Sequence, residues 1–259
     1  MALFTDGGIS TIDDLLAYES SILEVARTEG IDLAVKLELA QDELGIELTR
    51  FLVQEAGSGT GLENVVVTEP LQKWHTFQAL GLVYRDAYNS QLNDRHLAKW
   101  KEWGQRAKWA STMLFDSGVG VVDDPVPKAE LPELGSSAGP LAAATYYVRA
   151  AWLNGEGEEG CPSELAILTA ADGHRLTAQA VNPPAVVRTW NLYAGFSHAD
   201  TTLQTEAPLG PGAIWVESDS GLRQGRKAGS GQAPDYYILR GGQTRDQDEP
   251  EVPGLLLRG

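Results

Sequence analysis

Four histidines, one cysteine and several adjacent carboxylates are the groups in this 259-residue chain that could do metal, nucleophilic or acid–base chemistry. A metal site needs imidazole, thiolate or carboxylate ligands at helical or hairpin spacing. His75, His96, His174 and His198 instead stand singly, with no HExxH, no two-histidine helical pair and no cysteine partner. His75 and His96 are read as exposed or half-buried helix positions, and His174 and His198 as loop residues. Cys161, in EGCPSE, would need a neighbouring base to act as a nucleophile, and the sequence supplies none. It reads as a small, half-buried hairpin residue, and a single cysteine excludes an internal disulfide. Asp13-Asp14, Asp123-Asp124 and Glu158-Glu159 are neighbours whose side chains point apart, so they read as solvated charge. Ser58, Ser117 and Ser220 lack a G-x-S-x-G elbow, and GSGTG at 57–61 lacks the Gly-Lys-Ser/Thr ending of a phosphate loop. The expectation is a protein without catalytic residues, cofactor or metal.

The remaining chemistry is that of contact. Lys99, Lys101, Arg106 and Lys108 alternate with Trp100, Trp103 and Trp109, a mixture of charge and stacking surface that single-strand nucleic-acid binders use. The whole chain argues against that use: 36 acidic and 20 basic residues give a net charge of -16, which repels phosphate backbones. Tryptophan and arginine are also enriched at the centres of protein interfaces. At 3.6 residues per turn Trp109 lies roughly opposite Trp100, so one helix face cannot bury both. Trp100, Trp103 and Trp109 are therefore candidate interface residues. Leu255, Leu256 and Leu257 join them as an apolar island in a polar tail.

The elements that must carry these residues change character midway. Ser10 with Asp13 resembles a helix cap, and apolar residues from Ile12 to Ala26 predict one helix from 11 to 28, ending near Gly30. Leu33, Leu37, Ala40, Leu44, Leu48 and Phe51 predict a second over 31–55. Thr68 and Pro70 open a third with the face Leu71, Trp74, Phe77, Leu80, Tyr84 and Tyr88; Asn93 or Asp94 opens a fourth, stopped by Gly118 and Gly120. A helical bundle follows. Beyond it the period becomes two: Tyr146, Val148, Ala150 and Trp152 alternate with Thr145, Tyr147, Arg149 and Ala151 up to the turn Asn154-Gly155. Further strands are expected at 164–169, 176–181, 189–194, 202–204 and 213–216.

With 42% hydrophobic residues the chain can build cores. No apolar run approaches the roughly 20 residues of a membrane span, and the N-terminus lacks a secretory pattern, so synthesis as a soluble cytoplasmic protein with no membrane partner is expected. Acidity is concentrated at the start: residues 1–63 hold 13 acidic and 3 basic residues, whereas 64–124 hold 7 of each. The expected architecture is α+β: a helical assembly domain at 1–124, a Pro-rich linker at 125–140, an all-β sandwich at 141–240 and an extended arm at 241–259.

The stretch VVVTEPLQKWHTFQALGLVYRDAYNSQLNDRHLAKWKEWGQRAKWA, followed by GVGVVDDPVP, resembles the helical head-tail connector or neck adaptor proteins of tailed bacteriophages. TYYVRAAWLNGEGEEGCPSE and TWNLYAGF resemble strands of the immunoglobulin-like or fibronectin type III-like modules carried by phage structural proteins. The two likenesses cover roughly residues 10–127 and 140–240. They imply a virion protein of the neck, forming a homo-oligomeric ring between portal and tail, with packaged DNA at most passing through the channel. No enzymatic residue transfers. The alternative is a carbohydrate- or cell-surface-binding sandwich on a helical stalk, for which Trp152, Trp190 and Trp215 are the candidate contact residues.

Overall fold

The computed structural model describes residues 1–57, 59–91, 94–241 and 243–246. Its helices are α1 (Ile12–Tyr18), α2 (Ile22–Glu29), α3 (Leu33–Glu55), α4 (Glu69–Gln91) and α5 (Asp94–Ser117). The strands are β1 (Val119–Val121), β2 (Glu133–Ala138), β3 (Ala144–Leu153), β4 (Ala166–Ala170), β5 (His174–Gln179), β6 (Thr189–Gly195), β7 (Thr202–Leu203), β8 (Ile214–Val216), β9 (Tyr236–Leu239) and β10 (Gln243–Asp246). The chain is α+β, a helical N-terminal region followed by antiparallel sheets.

The two compact units are not consecutive stretches of sequence. The helical unit takes Gly8–Gly61, Thr68–Val121 and the described residues from Pro234 onward; the β unit takes Met1–Gly7, Leu62–Val67 and Val122–Ala233.

In the helical unit the cap falls on Thr11 rather than Ser10. The Thr11 hydroxyl accepts from the Asp14 amide while the Asp14 carboxylate accepts from the Thr11 amide. Ser10 is instead buried and bonded to Thr76 of α4 at 2.9 Å. The single helix expected over 11–28 is two, because Glu19 takes an extended conformation between them. Its carboxylate accepts from the Ser21 hydroxyl and from Lys99 of α5, fixing the break. Asp32 caps α3, and Leu33, Ala40, Leu44, Leu48, Phe51 and Leu52 are its buried residues. Both α3 and α5 pack on α4.

At the end of α5, Gly118 turns the chain into β1 with a φ of +105°, a conformation that L side chains rarely adopt. β1 pairs antiparallel with β9, Val119 opposite Ile238, and β10 pairs with the other edge of β9. Residues 236–239, expected in the sandwich, thus belong to the helical unit, and 243–246 of the expected arm form a strand. Leu255, Leu256 and Leu257 lie outside the described residues.

The β unit contains two antiparallel sheets, ordered β2-β5-β8 and β4-β3-β6-β7. One apolar cluster draws Leu176 and Ala178 from the first and Tyr146, Val148, Trp152, Trp190 and Leu192 from the second. The alternation along β3 is the cause, since its even-numbered side chains all face that cluster. The stretch 125–140, expected as a linker, contributes buried Val126 and Ala129 to the cluster and edge strand β2 to the first sheet. The chain's first residues join this unit too: Leu3 bridges Val66, and the terminal ammonium donates to the Gln232 carbonyl at 2.8 Å.

Candidate functional site

Helix α5 places the lysine–tryptophan motif, and its period sends the three tryptophans to three environments. Trp103 is 2% exposed, packed against Phe77 of α4. Lys99 and Arg106 lie over its ring at 5.8 and 4.9 Å, and each is also ion-paired, Lys99 with Glu19 and Arg106 with Glu102. Half of the basic cluster is therefore spent inside the unit. Trp100 is half-buried and stacks on Tyr88 with ring centroids 5.6 Å apart. Trp109 is 57% exposed, next to exposed Met113 one turn on. Lys101 and Lys108 are exposed, with no carboxylate among the described residues at ion-pair distance. Of the proposed contact residues on α5, only Trp109 presents most of its ring to solvent.

Helix α3 carries a second apolar surface besides the core face expected of it. Val35, Leu39, Ile46 and Val53 are exposed, Ile46 at 72% and Val53 at 66%. Their spacing follows the helical period as closely as that of the six core-face residues from Leu33 to Phe51. No described helix is long and apolar enough to cross a membrane.

The histidines on the helices are buried, not exposed or half-buried. The His75 ring sits 3.0 Å from the Leu37 carbonyl, and burial lowers its pKa below 6.5. His96 Nε2 lies 3.3 Å from the Glu29 carboxylate, to which Arg95 and Ser90 donate. His174 opens β5 rather than lying in a loop, and His198 is exposed. Among the described residues, no three His, Cys, Asp or Glu side chains converge as metal ligands. Cys161 is half-buried, and desolvation raises its pKa, which keeps it a thiol.

In the β unit, Glu159 is not solvated charge. Its carboxylate, 13% exposed, receives Tyr193, Asn191 and Arg226. Trp152 and Trp190 are wholly buried, the Trp190 indole donating to the Gly210 carbonyl. Trp215 lines a cleft of about 700 Å³ with Gln204, Glu206, Ser218, Ser220 and Arg223.

No protein-family model matches the chain, and no curated protein matches it.

Proposed function

We propose that the chain is a structural adaptor of the tailed-phage neck, assembling as a homo-oligomeric ring between portal and tail proteins. The observation that carries this reading is the outward Trp109–Met113 pair on a helix whose opposite face is packed in the unit. Large apolar side chains held outward on a rigid helix suit permanent contact with another protein surface. The acidic balance suits a channel through which DNA passes without adhering.

The β unit reads further as an immunoglobulin- or fibronectin III-like sandwich. The order β4-β3-β6-β7 corresponds to C′-C-F-G, with β5 as strand E beside β2 as strand B. Trp152 on β3 and Tyr193 on β6 are buried on the central pair. Strand β8, on the far side of β5, departs from that plan.

Immunogold labelling of intact particles with an antibody against residues 140–240 tests the location. Label confined to the head–tail junction is expected; particles without label would overturn the virion reading. A second reading, carbohydrate binding, rests on Trp215 in its polar-rimmed cleft. An array of glycans bound by the full chain, and lost in Trp215→Ala, would favour it instead.

A further inference from the structure

Helix α3 has two apolar faces. Leu44, Leu48 and Phe51 are buried in the helical unit. Ile46, two residues beyond Leu44, lies about 200° around the helix, and Leu39 and Val53 sit one heptad to either side of it. Val35 extends this outward stripe by one turn. All four are exposed on one side of the helix, with Asp42 set between Leu39 and Ile46 and Arg50 between Ile46 and Val53, an alignment of large apolar side chains that single scattered exposure does not produce.

The borders of the stripe are acidic. Glu38, Asp42 and Glu47 are exposed beside it, and Glu43 is half-exposed and bonded to Gln78. Two basic residues lie near: Lys36, held by Asp86, and Arg50. A copy of the same stripe makes a poor partner, because its acids would face acids.

Helix α5 of the same unit offers the complement. Trp109 lies about 200° around from buried Ala107, so it points away from the helix's own core face. Met113 adjoins it, exposed Lys108 flanks the pair and exposed Lys101 lies two turns before it, while Glu102 and Asp116, one heptad to either side of Trp109, are ion-paired with Arg106 and Arg240. One helix presents apolar residues among carboxylates; the other presents an apolar pair beside the ammonium groups of Lys101 and Lys108, its own carboxylates Glu102 and Asp116 being held by arginines. Both rest on α4 through their other faces.

We infer that the α3 stripe of one copy docks on the Trp109–Met113 face of the α5 helix of a second copy. The contact joins unlike surfaces, so every copy keeps one of each free for the next, and it propagates until rotation closes a ring. This assigns the surfaces of the ring proposed above and rests on that reading.

The test uses the full chain with Cys161→Ser, so that introduced thiols are the only ones. Thr49→Cys and Gln105→Cys proteins, exposed positions beside the two surfaces that leave Ile46 and Trp109 in place, mixed and oxidised, are expected to form a disulfide heterodimer in preference to either homodimer. Sedimentation is expected to show higher-order oligomers of the unmodified chain. Lys101→Glu/Lys108→Glu should weaken them about tenfold or more, the loss of a desolvated charge pair being worth over 1.4 kcal/mol. Adding Glu38→Lys/Asp42→Lys to that chain should restore assembly, which damage to the fold would not allow. Oligomers that persist in Ile46→Asp, or a Thr49→Cys homodimer as the main product, would overturn the surface assignment and leave the ring standing. A monomer at all concentrations would overturn the self-contact; label at the head–tail junction would then still support the neck location.

Discussion

The Tyr193 hydroxyl lies 2.7 Å from both carboxylate oxygens of Glu159, across from the β6 strand to the loop after β3. Arg226 closes the group, its guanidinium 2.9 Å from Glu159 and 5.4 Å from the Tyr193 ring. A carboxylate so enclosed is held by its donors, and each donor is left unmatched without it. Glu159→Ala should therefore destabilise the β unit by about 2 to 3 kcal/mol, the cost of a buried hydroxyl and amide losing their acceptor. Urea unfolding followed by tryptophan fluorescence measures it. An unchanged midpoint would mean that the cluster is ornamental.

The same unit should weaken in alkali. Burial, then the Glu217 carboxylate, pushes Tyr146 up to about 12, and burial with Glu159 raises Tyr193 further. The ordinary tyrosine value is 10.0. Raised folded values mean that the unfolded chain releases protons first, so stability is full below pH 10 and declines as pH rises through 12. Absorbance at the phenolate band should show these two tyrosines titrating only with unfolding.

Much of this architecture follows from local pattern, and the rest does not for identifiable reasons. Alternation along Ala144–Leu153 fixes which side chains of β3 face inward, and the period of α5 separates Trp100 from Trp109. Tyr236–Leu239 looks like an island in a polar tail because its partners, Val119–Val121, lie more than a hundred residues earlier. Pairing over that separation leaves no local trace. The break at Glu19 is equally invisible, since it depends on Lys99 arriving from another helix. Glu159 reads as solvated charge for the same reason: three of its donors come from distant segments. The outward stripe of α3 was legible, but an amphipathic pattern invites attention to only one of its faces.

Gly118 is a position where the fold admits one residue. Besides its positive φ, a Cβ there would lie 2.8 Å from the Tyr237 Cβ on β9, closer than real contacts allow. Gly118→Ala should cost the helical unit about 1 to 3 kcal/mol through strain alone, with additional loss from the displaced strand. Circular dichroism at 222 nm during thermal unfolding reads it, and a melting temperature equal to that of the unmodified chain would refute the β1–β9 register.

His75 makes the helical unit acid-sensitive. Burial is the main cause of its lowered pKa, opposed by the Leu37 carbonyl and weakly by Asp14. The unfolded chain therefore binds a proton that the folded chain refuses, so stability is intact above pH 6.5 and falls as pH drops below it. His75→Gln, which keeps a donor for the Leu37 carbonyl, should flatten the dependence between pH 6.5 and 5. A helical melting temperature equally pH-dependent in both proteins would place the sensitivity elsewhere.

Two tryptophans six residues apart on α5 should separate folding from assembly. Trp103 is buried between Phe77 and the stems of Lys99 and Arg106, and its removal leaves a cavity that the neighbouring helices cannot fill. Trp103→Ala should cost about 3 to 5 kcal/mol, enough to unfold a marginal unit. Trp109 keeps 57% of its surface in solvent, so Trp109→Ala should shift stability by no more than about 0.5 kcal/mol. If its ring is a contact residue, the same substitution should abolish the larger species in sedimentation while the melting curve stays in place. A Trp109→Ala protein that melts early would show that the ring is held by its own chain. One that melts normally and assembles normally would remove Trp109 from the interface, and leave the lysines beside it without a role in contact.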